Sequence, residues 1–212
     1  MIKRVTNDLY SSNTYFICNE INNNCIIIDP GLNEIIIEKR LIDLDLRPIA
    51  IIATHGHFDH IGGVSYFKEK YSIPFYLHQN DYKLMKSSNF FLKLSKINKV
   101  IKIGEPDCLI NENRFRLELS EFELEIINFQ GHTDGSCVIK YKDNLFTGDT
   151  VFKKGLYINR LPGENTQKLK ESITRIFEEY KPSDMCYPGH GSEASIEYIK
   201  SNNKELINFL AN

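Results

Sequence analysis

The chain has 212 residues, of which 42% are hydrophobic and 25% are charged, as in an ordinary soluble globular protein. This length is enough for one large domain or two small ones. Because the formal net charge is only −2, the composition provides no basic field for binding nucleic acid or an anionic membrane.

The first half of the chain alternates predicted strands and helices. Runs of apolar, β-branched residues predict the strands, and Asn33 is a predicted helix N-cap. This alternation is typical of a sheet with parallel strands. Residues 79–106 give the weakest pattern, with helical character at 80–86. The predicted strands span residues 14–18, 25–28, 49–53 and 74–78, and the predicted helices span 33–46 and 61–71.

The second half returns to strands. Residues 114–119 and 122–129 alternate charged and apolar side chains, as half-buried antiparallel strands do. Residues 138–147 predict a hairpin. Two sheets with helices outside them, and a site along one shared edge, would satisfy this order of elements. The remaining predicted elements are a strand at 185–188 and helices at 166–180, 192–202 and 204–210.

The stretch Thr54-His55-Gly56-His57-Phe58-Asp59-His60 places three imidazoles and a carboxylate within six positions after a predicted buried strand. Side chains two apart in extended chain point the same way, so His55, His57 and Asp59 can converge. Gly56 would keep the space between the first two ligands empty, and His60 could face a second centre. Borderline metals such as zinc bind imidazole nitrogen and carboxylate oxygen, so this stretch predicts a metal site.

Three further polar positions follow predicted strands and lie beside glycine. They occur in Gly131-His132-Thr133, Thr147-Gly148-Asp149-Thr150 and Pro188-Gly189-His190-Gly191. Together with the first stretch they supply five histidines and two aspartates. Two metals of coordination number four or five that share a carboxylate and a solvent oxygen need about that many ligands.

These motifs, in this order, resemble the metallo-β-lactamase fold superfamily over nearly the whole chain. Within it, the chain is similar to the short glyoxalase II-like hydroxyacylglutathione hydrolases, a group favoured by Leu161-Pro162-Gly163. The resemblance implies an α/β fold, a four-layer αβ/βα sandwich of two mixed β-sheets flanked by helices. It also implies that residues 1–212 form one such domain.

The resemblance implies two divalent metal ions per chain, zinc in the first instance, with iron or manganese as alternatives. Asp59 would also be catalytic, because it would orient a metal-bridging hydroxide. The implied ligands are His55, His57 and His132 for the first metal, Asp59, His60 and His190 for the second, and Asp149 as the bridge.

The implied activity is hydrolysis of S-acylglutathione or related small thioesters. A mononuclear iron persulfide dioxygenase and a lactonase are the alternative enzymes, and a non-catalytic metal-binding module is the non-enzyme alternative. Tyr157 and Arg160 are the candidate substrate contacts. They lie where the family often has Gly-Arg-Thr-Asp, and Asp134 replaces a common proline. These departures bear on the substrate and not on the metals.

Other polar and aromatic residues have two interpretations each. Asp29 is either a turn residue or a carboxylate that orients a ligand histidine. His78 is expected to be structural. Residues 90–92 line a substrate pocket or, more commonly for an apolar run, belong to the core.

The cysteines and the N-terminal residues favour a cytoplasmic protein. The N-terminus has no apolar signal core, and no run reaches transmembrane length. The expected partner is a small-molecule thioester substrate, and neither nucleic acid nor a membrane is expected as a partner. The cysteines are odd in number and follow no motif, so buried free thiols are predicted. They are Cys18, Cys25, Cys108, Cys137 and Cys186.

Overall fold

The computed structural model describes residues 1–158 and 163–211, and the chain divides into two compact units, Met1–Asn111 and Glu112–Asn212. Each unit contains one six-stranded mixed β-sheet and several helices. The predicted α/β class, two mixed β-sheets flanked by helices, is therefore confirmed. The assignment of residues 1–212 to a single domain stays a prediction.

The sheet of the first unit has its strands in sequence order. The first three strands pair antiparallel, and the third to the sixth pair parallel. Helices connect the parallel strands, as the predicted alternation requires. The strands are β1 (Ile2–Thr6), β2 (Asn13–Cys18), β3 (Asn24–Ile28), β4 (Arg47–Ile52), β5 (Phe75–His78) and β6 (Cys108–Ile110).

The helices of the first unit begin and end at identifiable signals. The predicted N-cap is confirmed, since the Asn33 side chain accepts a hydrogen bond from the Ile36 amide at 3.3 Å. The helix ends earlier than predicted because Asp45 adopts a left-handed backbone conformation, with φ of 51°. The helices are α1 (Glu34–Asp43), α2 (Phe58–Ile61), α3 (Val64–Tyr71), α4 (Tyr82–Lys86) and α5 (Ser88–Leu94), and a short 3₁₀ helix covers Gln79–Asp81.

One face of this first sheet packs against the helices. Apolar side chains of α1, α3 and α5 bury against it, which removes apolar surface from water and stabilises the sheet. The helix residues in this core include Ile37, Leu41, Phe67 and Leu92, and the strand residues include Phe16, Ile27, Ile51 and Phe75.

The sheet of the second unit runs in the order β12, β11, β10, β9, β8, β7. Only β10 and β11 pair parallel, and the other neighbours are antiparallel. The predicted hairpin across residues 142–144 is confirmed. The strands are β7 (Arg114–Leu119), β8 (Phe122–Asn128), β9 (Cys137–Tyr141), β10 (Asn144–Gly148), β11 (Met185–Pro188) and β12 (Ala194–Ser195).

The described part of the second unit also contains three helices, and the longest connects its two parallel strands. Its residues Leu169, Ile173 and Ile176 have the predicted helical spacing and are fully buried against strand residues such as Val138 and Leu145. These helices are α6 (Thr166–Glu179), α7 (Ile196–Asn202) and α8 (Lys204–Ala211).

The five cysteines are free thiols, and four of them are buried, as predicted. Within residues 1–158 and 163–211, no helix combines the length and apolar character needed to cross a bilayer. The cytoplasmic location stays a prediction.

Candidate functional site

The connection from β4 to α2 carries the first two ligand candidates. His57 is the N-cap of α2 and has an extended backbone, with φ of −71° and ψ of 146°. His55 Nε2 lies 3.0 Å from His57 Nδ1, so both ring nitrogens face one point. The expected convergence of these two imidazoles is confirmed.

The other two candidates in this stretch lie within α2. Since the helix begins at Phe58, the extended alternation ends at His57 and does not include Asp59. Asp59 instead accompanies His60, with 3.6 Å between Asp59 Oδ2 and His60 Nε2. The His60 ring also lies beside the His55 ring, with 4.2 Å between centroids. The expectation that the strand alternation continues to Asp59 was therefore wrong.

Asp29 and Thr54 determine which nitrogens these histidines present. The Asp29 carboxylate accepts hydrogen bonds from the Thr54 amide and the Thr54 hydroxyl, both at 2.7 Å. Because the hydroxyl proton is used on Asp29, the Thr54 oxygen can only accept from His55 Nδ1, which lies 3.0 Å away. His60 Nδ1 lies 3.0 Å from Asp29 Oδ2 and donates to it. Both imidazoles therefore turn an unprotonated Nε2 away from this network, the tautomer that binds a metal.

Gly56 packs against Asp81, whose buried carboxylate accepts a hydrogen bond from the Gly56 amide at 2.7 Å. A Cβ atom at position 56 would lie 2.9 Å from the Asp81 carbonyl oxygen. Glycine is therefore required by this close approach. The sequence interpretation, that glycine leaves space between the two ligands, was wrong.

Asp149 and His190 follow adjacent strands of the second unit. Gly148 pairs with Pro188 in the parallel ladder of β10 and β11, so the residues that follow emerge at the same end of the sheet. His190 Nε2 lies 3.4 Å from Asp149 Oδ2. The strand pairing thus brings together two ligand candidates that are 41 positions apart in the sequence.

His132 completes the group in the second unit. Its Nε2 lies 3.6 Å from Asp149 Oδ2, the same oxygen that faces His190. The preceding Gly131 has φ of 139°, and a Cβ atom there would lie 2.3 Å from the Leu169 backbone. Only glycine allows the chain to pass this close to α6 and direct His132 toward Asp149.

The donor atoms in each unit fit divalent metals. Two nitrogens on a tetrahedral zinc ion lie about 3.3 Å apart, since each Zn–N bond is about 2.0–2.1 Å long. The separation of 3.0 Å between the His55 and His57 nitrogens, and those of 3.4 and 3.6 Å around Asp149 Oδ2, are close to this value. Asp29 and Asp59 contribute further negative charge in the first unit. The chemistry and spacing of these donors suit zinc, iron or manganese.

The other candidates are placed as follows. Tyr157 is half exposed, with its ring 6.5 Å from the His190 ring, and Arg160 lies outside the described residues. His78 is buried, and its Nδ1 accepts from the Asn80 amide at 3.3 Å, which confirms a structural role. Of residues 90–92, Leu92 is in the core, whereas Phe90 is 64% exposed. Sequence reasoning missed Asp81, since its contact with Gly56 spans 25 positions.

The sequence model of the Metallo-beta-lactamase superfamily matches residues 7–190. A probable metallo-hydrolase of Bacillus subtilis (strain 168) is 31% identical over 201 residues, which cover 93% of this chain and 93% of that protein.

Two crystal structures are also similar. The BLEG-1 B3 metallo-β-lactamase has a TM-score of 0.82 and 28% identity, over 97% of this chain and 99% of that chain. The protein TTHA1623, crystallised in a di-iron-bound form, has a TM-score of 0.83 and 25% identity, over 95% of this chain and 98% of that chain. The glyoxalase II-like subgroup stays a prediction. The match over residues 7–190 spans most of the sequence, and the chain therefore belongs to the metallo-β-lactamase superfamily.

Proposed function

We propose that the chain is a metal-dependent hydrolase that cleaves small thioesters, with S-acylglutathione as the first candidate substrate. It would use two divalent metal ions, zinc in the first instance, and the di-iron-bound form of TTHA1623 supports iron as an alternative. The proposed ligands are His55, His57 and His132 for the first ion, Asp59, His60 and His190 for the second, and Asp149 as the bridge.

The observation that carries this proposal is the position of Asp149 Oδ2. This single oxygen faces His132 Nε2 at 3.6 Å and His190 Nε2 at 3.4 Å. The two histidines are assigned to different ions, so a carboxylate oxygen that faces both supports its proposed role as the bridge. The carboxylate charge also offsets part of the charge that two divalent ions would bring.

The residues of the chain hold and orient the reacting groups. When bound, divalent metals lower the pKa of a water ligand and polarise a substrate carbonyl. Asp59, whose Oδ2 lies 3.6 Å from His60 Nε2, would orient the attacking water by accepting its hydrogen bond. Asp29 keeps His60 in one tautomer through the 3.0 Å contact at Nδ1. A thiolate leaves readily without protonation, so a thioester needs no strong general acid from the protein.

Two other residues are proposed to contact the substrate. Tyr157 is half exposed and its ring lies 6.5 Å from the His190 ring, which supports a contact with a group bound at the metals. Arg160 is proposed from the sequence alone, as a cation for an anionic substrate.

Four alternatives compete with thioester hydrolysis as the function of this chain. The same ligands serve a mononuclear iron persulfide dioxygenase or a lactonase, and similarity to BLEG-1 adds hydrolysis of a β-lactam. A non-catalytic metal-binding module is the fourth. The dioxygenase would consume oxygen with glutathione persulfide, and the lactonase and the β-lactamase would each open a ring. The non-catalytic module would turn over none of these substrates.

The test combines metal analysis with a substrate panel. Purified protein is loaded separately with zinc, iron and manganese and assayed on S-lactoylglutathione, an acyl lactone, a β-lactam and glutathione persulfide. We expect thioester hydrolysis in a chain that holds two metals, and its loss in an Asp59→Asn variant. Asp143→Asn, which changes an exposed carboxylate, is the matched control and keeps activity. Oxygen uptake or ring opening at a higher kcat/KM than thioester hydrolysis would replace the proposal.

A further inference from the structure

The side chain of Tyr157 forms an exposed aromatic surface beside a ligand candidate of its own unit. The residue is 51% exposed, and its ring centroid lies 6.5 Å from that of His190. The other side of the ring rests on Phe152 in a T-shaped contact, with 4.8 Å between centroids. Phe152 is buried, so it gives the tyrosine ring a fixed support.

The backbone that carries Tyr157 is anchored from both sides. Asn203, buried between α7 and α8, donates hydrogen bonds to the Phe152 carbonyl at 3.0 Å and the Gly155 carbonyl at 2.8 Å. The Thr147 hydroxyl donates to the Val151 carbonyl at 2.8 Å. These bonds fix the backbone of residues 151–155, so the segment that leads to Tyr157 has a defined position.

The neighbours of Tyr157 give this surface an apolar character. Ile158 is 37% exposed. Lys153 precedes Tyr157 in the sequence. Its Nζ atom lies 5.2 Å from the Tyr198 ring centroid, so its charge already contacts another aromatic ring. An aromatic ring, that of Tyr157, thus lies beside His190.

We propose that Tyr157 is a specificity-determining residue that selects thioesters with an aromatic acyl group. The inference rests on the proposed function, because that function requires the substrate carbonyl to lie beside His190. A ring on the acyl group would pack on the exposed surface of Tyr157 in an offset or edge-to-face arrangement, which aromatic pairs prefer. Such a contact removes two apolar surfaces from water and adds the favourable geometry of the ring pair.

The main experiment measures a selectivity ratio. Phenylacetyl and acetyl thioesters of the same thiol, N-acetylcysteamine, are compared in wild type and in Tyr157→Ala and Tyr157→Phe variants. We expect the ratio of kcat/KM for phenylacetyl over acetyl to fall about tenfold in Tyr157→Ala, the usual scale for one lost apolar contact. Tyr157→Phe should keep the wild-type ratio, since it retains the ring. The ratio is independent of how much of each preparation is folded and metal-loaded.

Controls separate this role from a structural one. Tyr66→Ala removes a partly exposed tyrosine ring of α3 that contacts Phe67 and Glu38, and it should leave the ratio unchanged. A lower ratio in Tyr157→Phe would show that the hydroxyl and not the ring acts, which overturns the proposal. An unchanged ratio in Tyr157→Ala would overturn it as well.

A binding measurement keeps the inference independent of turnover. The product acids phenylacetate and acetate are titrated calorimetrically into metal-loaded wild type and Tyr157→Ala. We expect phenylacetate to bind wild type about tenfold more tightly than acetate, and this difference to disappear in the variant. If no thioester is hydrolysed but this difference is found, the proposed reaction fails while the aromatic contact stands. Equal binding of the two acids by wild type would overturn the inference.

Discussion

The Oδ2 atom of Asp29 lies 3.0 Å from Nδ1 of His60, and both side chains are buried. Asp29 also accepts from the amide and the hydroxyl of Thr54, so its carboxylate is used by three donors. Its backbone has φ of 52°, a left-handed conformation that aspartate and asparagine tolerate better than most residues. The choice left open by the sequence, between a turn residue and an orienting carboxylate, resolves to both roles in one residue.

Asp29→Asn should destabilise the protein and weaken the metal ligand that Asp29 orients. The Thr54 amide bonds Oδ1, whereas the Thr54 hydroxyl and His60 Nδ1 both bond Oδ2, so an amide NH2 group in place of either oxygen would face at least one buried donor. Leaving one buried donor unsatisfied should lower the free energy of unfolding by about 2 kcal/mol. Urea unfolding in the presence of a chelator measures this without metal. In the absence of chelator, metal affinity should fall about 10- to 100-fold.

The matched control is Asp43→Asn on α1. Asp43 pairs with Lys39 at 2.6 Å, but both side chains are exposed. Such a pair contributes little, so the unfolding free energy should change by less than about 1 kcal/mol. Equal stability of Asp29→Asn and wild type without metal would mean that the Asp29 network does not hold the ligand stretch.

Gly131→Ala should be strongly destabilising. The backbone at Gly131 has φ of 139°, which side-chain-bearing residues rarely adopt, and the new Cβ would lie 2.3 Å from the Leu169 backbone. Since α6 is packed on the sheet through Leu169, neither backbone can move freely. We expect a loss of about 3 kcal/mol or more in the free energy of unfolding, measured by urea denaturation.

Gly155→Ala provides the comparison for this prediction. Gly155 also has positive φ, 79°, but the nearest atom to a new Cβ is 3.8 Å away. The cost should therefore be the conformational term alone, about 1 kcal/mol. If both variants lose equal stability, the close approach to Leu169 has no energetic consequence.

Thiol reactivity should single out Cys108. Burial raises the pKa of the Cys186 thiol to about 12 and, more strongly, that of Cys25, and it also raises the pKa of Cys18. At pH 8 and pH 9 the Cys186 and Cys25 thiols are far below their pKa values, so their thiolates do not form, and the raised pKa of Cys18 disfavours its thiolate. Cys137 is buried as well.

Ellman's reagent at pH 8 and pH 9 measures this difference. At most one thiol per native chain should react rapidly at either pH, and Cys108→Ser should remove that phase. All five thiols should react in denaturant. Rapid reaction of two or more thiols in the native protein at pH 9 would show that the buried cysteines are accessible.

Sequence patterns predicted the elements whose burial is periodic or continuous. β3 and β4 were identified because isoleucines fill them, and α6 because Leu169, Ile173 and Ile176 share one face. The ligand candidates were identified because histidine, aspartate and glycine recur at strand ends, and a turn at a strand end leaves a side chain free to bind.

Contacts between distant parts of the chain could not be predicted in this way. β6 and β12 have only three and two residues, so hydrogen bonds to their neighbours define them and no periodicity can. The helical position of Asp59 was missed because the pattern His-x-His-x-Asp continues a strand alternation as well as it begins a helix. The contact of Asp81 with Gly56 depends on the packing of the segment after β5.

Metal stoichiometry should distinguish the bridging ligand from a ligand of one ion. Wild type, loaded and passed through a metal-free column, should retain two metals per chain. Asp149→Ala should lose most of both, because its Oδ2 faces both His132 and His190 and would serve both ions. His190→Ala should retain close to one metal, since only the second ion loses a ligand.

Elemental analysis by mass spectrometry, on protein whose circular dichroism matches wild type, gives the number of metals per chain. Asp143→Asn is the surface control and should retain two metals. A single metal in fully reconstituted wild type would contradict the dinuclear site. Equal metal counts in the two variants would contradict the bridging role of Asp149, because a shared carboxylate has to affect the ion that His190 does not contact.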